Sequence, residues 1–65
     1  MFIELMVGNE YLEEGQEWTN GTINLKITNI SSVAVTFIED GVEDAEYNHD
    51  MVEWMEKEGF QLDAS

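Results

Sequence analysis

Trp18-Thr19-Asn20-Gly21-Thr22-Ile23-Asn24-Leu25-Lys26-Ile27-Thr28-Asn29-Ile30-Ser31-Ser32-Val33-Ala34-Val35-Thr36-Phe37-Ile38-Glu39-Asp40-Gly41 is the stretch that decides the fold. Within it Ile23, Leu25 and Ile27 alternate with Asn24, Lys26 and Thr28. A period of two places the apolar set on one face of a strand and the polar set on the other. Asn29-Ile30-Ser31-Ser32 reads as a turn. Val33, Val35 and Phe37 then alternate with Ala34, Thr36 and Ile38, a second strand rich in β-branched residues. Asn20-Gly21 predicts a two-residue hairpin turn of the primed type after Trp18-Thr19. Asp40-Gly41 ends the second strand.

To the N-terminal side, residues 1–7 read as an earlier strand and residues 8–17 as an acidic loop bracketed by Gly8 and Gly15. Tyr11 and Leu12 are placed to pin that loop to the core. To the C-terminal side, Glu39 to Glu46 reads as a second acidic loop. The period then changes. Met51, Trp54, Met55 and Glu58 fall at i, i+3, i+4 and i+7, one face of a helix. Asp50 with Glu53 three residues later resembles a capping box, and Asn48 is the other candidate N-cap. Gly59 suits the left-handed position past the helix end, with Phe60 folding back on Met55. Phe60-Gln61-Leu62 reads as a short last strand. The expected class is α+β: a small, bent antiparallel β-sheet, SH3-like or a meander, of about four strands with one short C-terminal helix. Its core is expected to join Ile23, Leu25, Ile27, Val33, Val35 and Phe37 to Trp54 and Met55.

Sixty-five residues allow a single domain, 1–65. A chain of this size buries only about 60% of the surface it exposes when unfolded. Its apolar fraction of 43%, with two Trp, two Tyr and three Phe, is enough to seed a core and unlike that of a disordered acidic tail. No cysteine is present, so neither disulfides nor thiolate metal sites reinforce it. The apolar start, Met1 to Val7, lacks a basic flank and carries Glu4, which argues against a signal peptide or a membrane span. Asn20-Gly21-Thr22 and Asn29-Ile30-Ser31 are therefore read as turn chemistry, not glycosylation. The expected location is the cytoplasm.

Charge is the dominant feature. Fifteen acids face two lysines, Lys26 and Lys57, and no arginine, for a net charge of −13. Solubility alone asks for about 2–8 charges on a small domain, and self-repulsion beyond that destabilises a compact state. The excess points to a selected electrostatic surface more than to a solvated face kept for solubility. Direct binding to DNA, RNA or an anionic membrane is disfavoured, because phosphate contacts need Lys and Arg. The acids form two groups. Glu10, Glu13, Glu14 and Glu17 lie in the first loop. Glu39, Asp40, Glu43, Asp44, Glu46, Asp50, Glu53 and Glu56, with Glu58, run from the end of the second alternating strand along the helix.

The residues for catalysis are scarce. His49 is the only histidine and cysteine is absent, so an activated nucleophile beside a base is not expected. His49 and Glu53 share a helix face at i, i+4, which marks a residue near a helix start. One histidine among scattered carboxylates does not make a zinc site. Glu39-Asp40-Gly41-Val42-Glu43-Asp44-Ala45-Glu46 lacks the alternating ligands and central glycine of a calcium loop. With so many acids, some pair always lies close, so carboxylate proximity does not argue for a glycosidase-type pair. A chain this short also has difficulty enclosing a pocket of several hundred cubic ångströms. No cofactor, no metal and no enzymatic activity are expected.

Two resemblances follow from these residues. The run Trp18 to Gly41, with its Lys26-Ile27-Thr28-Asn29-Ile30 and Val33-Ala34-Val35-Thr36-Phe37 strands, resembles an SH3-like small-barrel meander, which bears on fold alone. The small size, absence of cysteine and net charge of −13 resemble the DNA-mimic inhibitors of bacteriophages and mobile elements. That resemblance implies an inhibitor that blocks the DNA-binding surface of a basic host protein, such as a nuclease, restriction enzyme, repair glycosylase or nucleoid protein, in the host cytoplasm. It implies the two acidic groups as the partner-binding residues. Thirteen charges match about 22 Å of duplex, which carries one charge per roughly 1.7 Å. The alternative is an adaptor or structural module that binds a basic protein without mimicry, through an apolar patch around Tyr11, Leu12 or Trp18. A homodimer, joined at strand edges or at the N-terminal strand, is also expected for so small a sheet.

Overall fold

The computed structural model describes residues 4–63. Its elements are β1 (Met6–Val7), β2 (Glu10–Tyr11), β3 (Glu17–Thr19), β4 (Asn24–Ile30), β5 (Ala34–Glu39), β6 (Val42–Tyr47), α1 (Asn48–Lys57) and β7 (Gln61–Leu62). β1 and β2 form a separate two-stranded hairpin. The other five strands make one antiparallel sheet in the order β6-β5-β4-β3-β7. The class is α+β, as expected, with more strands than the four anticipated.

The alternating stretch behaves as its period requires. Leu25 and Ile27 on β4, with Val35 and Phe37 on β5, are buried on one face, and α1 covers that face with Met51 and Met55. Val7, Leu12, Trp18 and Phe60 complete the core, and Ile23 and Trp54 pack against it half-buried. Val33 is the exception in the expected core, at 59% exposed. A bulge between Ile27 and Asn29 lengthens β4 to Ile30, so the turn falls on Ser31, Ser32 and Val33. Thr28 at that bulge donates its hydroxyl to the Thr36 carbonyl (3.0 Å).

The two glycine turns differ from the expectation. Between β3 and β4 the connection is four residues, because Thr19 pairs with Asn24. The Asn20 carboxamide accepts the amides of Thr22 (2.9 Å) and Ile23 (2.7 Å), a side-chain-capped turn in place of a primed two-residue one. The primed two-residue turn sits at Asp40-Gly41, with φ of +48° and +90°, joining Glu39 to its partner Val42. The dipeptide thus turns the chain back into β6, and Val42 to Glu46 is strand where an acidic loop was expected. In the N-terminal region, Met6 and Val7 of the expected first strand form β1, and the Leu5 carbonyl accepts the Leu12 amide (2.7 Å). Residues 1–3 lie outside the described residues. Within the expected loop, Glu10 and Tyr11 pair back on them. Leu12 is buried, whereas Tyr11 is 48% exposed.

The helix begins at Asn48, with Tyr47 in the N-cap position and no side-chain cap, in place of the expected start at Asp50 or cap at Asn48. Asn48 is instead docked on the β4–β5 turn: its amide donates to the Val33 carbonyl (3.0 Å) and its carboxamide Nδ2 to the Ser31 carbonyl (3.0 Å). The C-terminus follows the reading closely. Gly59 is left-handed at φ +74°, Phe60 N–H donates to Met55 O (3.0 Å) and Gly59 N–H to Glu56 O (3.3 Å), a Schellman stop. Phe60 is buried and Gln61–Leu62 pairs with β3.

Candidate protein-interaction surface

All fifteen acids lie among the described residues, and all are exposed except the half-buried Glu39. The tight turn at Asp40-Gly41 and the register of β6 decide where the larger group goes. Phe37 pairs with Asp44 and Val35 with Glu46, so both acids share the sheet face on which Phe37 and Val35 are buried. Glu43, Ala45 and Tyr47 lie on the opposite face, with Ile38, Thr36 and Ala34 beside them. Helix α1 crosses the first of these faces. Between helix and strand edge an open cleft of about 290 Å³ remains, lined by Phe37, Glu39, Asp44, Glu46, Asp50 and Trp54. Its floor is aromatic: the Phe37 and Trp54 rings stack with centroids 6.0 Å apart and an interplanar angle of 29°. Trp54 also packs against Phe60, with ring centroids 5.1 Å apart and planes tilted by 50°.

Four carboxylates therefore surround an aromatic floor, with Asp40 at the hairpin turn and Glu43 on the opposite face of β6. Glu53 lies on the solvent side of α1, where His49 Nε2 approaches its Oε2 at 2.9 Å. Both side chains are well exposed, so the pair contributes little to stability. Glu56 turns away from the cleft, and its Oε2 accepts the Gly8 amide (3.2 Å) at the β1–β2 turn.

The first acidic group is dispersed. Glu10 lies on β2 and Glu13 in the following loop. Glu14 accepts the Ile30 amide (2.9 Å) at the far end of β4, and Glu17 lies across from Lys26 in the β3–β4 ladder. The structure thus gathers Glu39, Asp44, Glu46 and Asp50 and leaves Glu10, Glu13, Glu14, Glu17 and Glu56 elsewhere. Phe37 and Trp54 were assigned to the core alone, although a half-buried tryptophan between carboxylates suits a cation by position.

Of the adaptor alternative's apolar patch, Tyr11 stays exposed beside its exposed cross-strand partner Met6. Leu12 and Trp18 are buried, and the Trp18 indole N–H is satisfied by Gln16 Oε1 (3.0 Å). Further exposed apolar side chains lie at Val42, Tyr47 and Val33, around β6. Among the described residues, no three His, Cys, Asp or Glu side chains cluster as metal ligands, and no helix is long and apolar enough to cross a membrane.

Fold and surface together define a small α+β domain with an acidic, aromatic-floored cleft beside an exposed sheet edge. Compared with known proteins, the chain matches no family model, no curated protein and no solved structure.

Proposed function

We propose that this domain is an acidic protein-binding inhibitor that occupies the nucleic-acid-binding surface of a basic partner protein, without catalysis. The observation that carries the reading is the concentration of Glu39, Asp40, Glu43, Asp44, Glu46 and Asp50 around one edge of the fold, with neither lysine of the chain among the cleft residues. Asp44 and Glu46, two apart on one strand face, have Cα atoms about 6.6 Å apart. Carboxylates so placed give a ladder of negative charge on a rigid edge. The molecule's long axis of 32 Å exceeds the roughly 22 Å of duplex that thirteen charges match. The SH3-like resemblance of residues 18–41 concerns the scaffold and carries none of this function.

Binding to a DNA-binding protein should be competitive with duplex DNA. The immobilised domain, challenged with cell lysate at about 0.15 M salt, is expected to retain proteins that excess duplex DNA elutes and a neutral polymer does not. Retained proteins that saturating duplex leaves in place would refute mimicry and favour the adaptor alternative.

A further inference from the structure

Among the described residues, β6 is the only strand of the main sheet in which every residue is exposed, and it lies at the sheet's edge. The two-residue turn makes Glu39 and Val42 a hydrogen-bonded pair, and pairing alternates from there along the ladder. Asp44 and Glu46 therefore direct their backbone groups to β5. Glu43 and Ala45 direct N–H and C=O outward, as Tyr47 does its N–H. The bond from Asn48 N–H to Val33 O, 3.0 Å, has the phase this alternation requires. Among the described residues no strand pairs with β6 on its outer side.

Exposed edges are normally blunted by proline, lysine, bulges or a covering element. β6 has neither proline nor lysine, and its register with β5 runs unbroken from Ala34–Tyr47 to Glu39–Val42. Two things guard it: the charges of Glu43, Asp44 and Glu46, and a local cap in which Ala45 N–H donates to Asp44 Oδ1 (2.8 Å). Both guards are selective. They oppose a second copy of the strand, which would set acid beside acid. They yield to a cation, because an ammonium or guanidinium that draws the Asp44 carboxylate to itself frees the Ala45 amide.

We infer that an extended segment of the partner, alternating basic and apolar residues, adds to the outer edge of β6 as a further strand. The side chains it sends towards α1 lie beside Asp44 and Glu46 and reach the cleft floored by Trp54, so these are Lys or Arg. Those it sends to the other face lie beside Ala45 and the exposed Tyr47, so these are apolar, with Glu43 flanking them at the hairpin end. The inference rests on the partner being basic and not on its binding DNA.

A short alternating lysine–valine peptide serves as the probe, with amide exchange of the isotope-labelled domain as the readout. Binding is expected to slow exchange at Glu43, Ala45 and Tyr47. The same peptide N-methylated throughout its backbone, and one with the same residues in separate lysine and valine blocks, are expected to bind at least tenfold more weakly. Ala45→Pro removes an outward N–H at a position an edge strand tolerates, leaves the charge unchanged, and is expected to lose the alternating peptide to the same extent. Its fold is checked by retained protection of the Asp44 and Glu46 amides. Equal binding of the alternating, N-methylated and block peptides would overturn strand addition while leaving a basic partner in place. No binding of any basic peptide would overturn both. Protection of the same amides on raising protein concentration alone would also overturn the inference, because a second copy would then be the occupant.

Discussion

Gly41→Ala strains the turn on which β6 depends, and the structure limits its effect to the backbone. Gly41 has φ +90°, and a Cβ built there meets no atom within 4 Å. The penalty is therefore that of an L-residue held at positive φ, about 1–2 kcal/mol. Asp40 provides the comparison. It adopts φ +48°, which Asp and Asn tolerate, and its Oδ1 accepts the Asn24 amide (3.3 Å). Asp40→Ala combines backbone strain with loss of that bond, about 0.5–1.5 kcal/mol for the bond alone. Asp40→Asn keeps both the acceptor and the αL tolerance and removes one negative charge from a surface that has too many. Against a total stability of about 3–10 kcal/mol for a chain of this length, Gly41→Ala and Asp40→Asn remain folded, and Asp40→Ala removes up to about 3.5 kcal/mol of it. With roughly 4–8 °C of Tm per kcal/mol in a domain this small, Gly41→Ala and Asp40→Ala should melt well below the parent and Asp40→Asn at or above it. Far-UV circular dichroism melts at fixed salt provide the measurement. A Gly41→Ala melt within about 2 °C of the parent, or an Asp40→Asn as damaging as Asp40→Ala, would refute the turn assignment and with it the registration of β6.

The remaining predictions concern core, charge and association. Phe37→Ala is expected to cost about 3–5 kcal/mol in urea unfolding, and Trp54→Ala less, because Trp54 is only half-buried; the reverse order would contradict the packing of α1. Sodium chloride raised to about 0.5 M should raise Tm by screening like charges, and a steady fall would contradict the account of the charge. Reversal of Glu43 and Asp44 to Lys should weaken partner binding by one to two orders of magnitude, and reversal of Glu53 and Glu56 by less, since Glu56 faces the β1–β2 turn. Surface plasmon resonance at several salt concentrations separates the two pairs, and parent-like affinity for both would end the electrostatic reading. A twofold pair, if β6 is closed to self-association, must use the β7 edge or the β1–β2 hairpin. Sedimentation equilibrium giving 7.5 kDa at high micromolar concentration would exclude a dimer.

What was legible in the sequence follows from where burial is one-sided. β4 and β5 each bury one face, so Leu25, Ile27, Val35 and Phe37 announced themselves by alternation. The helix end was legible for a local reason, since Gly59 and Phe60 carry the Schellman stop in two adjacent residues. The helix start was not, because Asn48 is fixed by tertiary bonds to Ser31 and Val33 that no local signal encodes. Val33 was misplaced by the bulge at Thr28, which shifts the pairing by one residue and so moves the turn.

β6 is the instructive failure. Both its faces meet solvent, so Val42-Glu43-Asp44-Ala45-Glu46-Tyr47 shows no period and its acids read as loop. Asp40-Gly41 is the local signal that the chain turns back, and no alternation beyond it marks the strand that follows. Both faces can stay polar because β6 owes its place to the ladder with β5 and to the turn, and little to burial. A strand held in that way carries charge on both faces at once, and its outward amides at Glu43, Ala45 and Tyr47 pair with no further strand among the described residues. The same lack of one-sided burial that hid β6 from sequence patterning is what makes it available to a partner. The candidate site is therefore found where the sequence is least regular, and the proposed function rests on the acids that the turn aligns with Trp54.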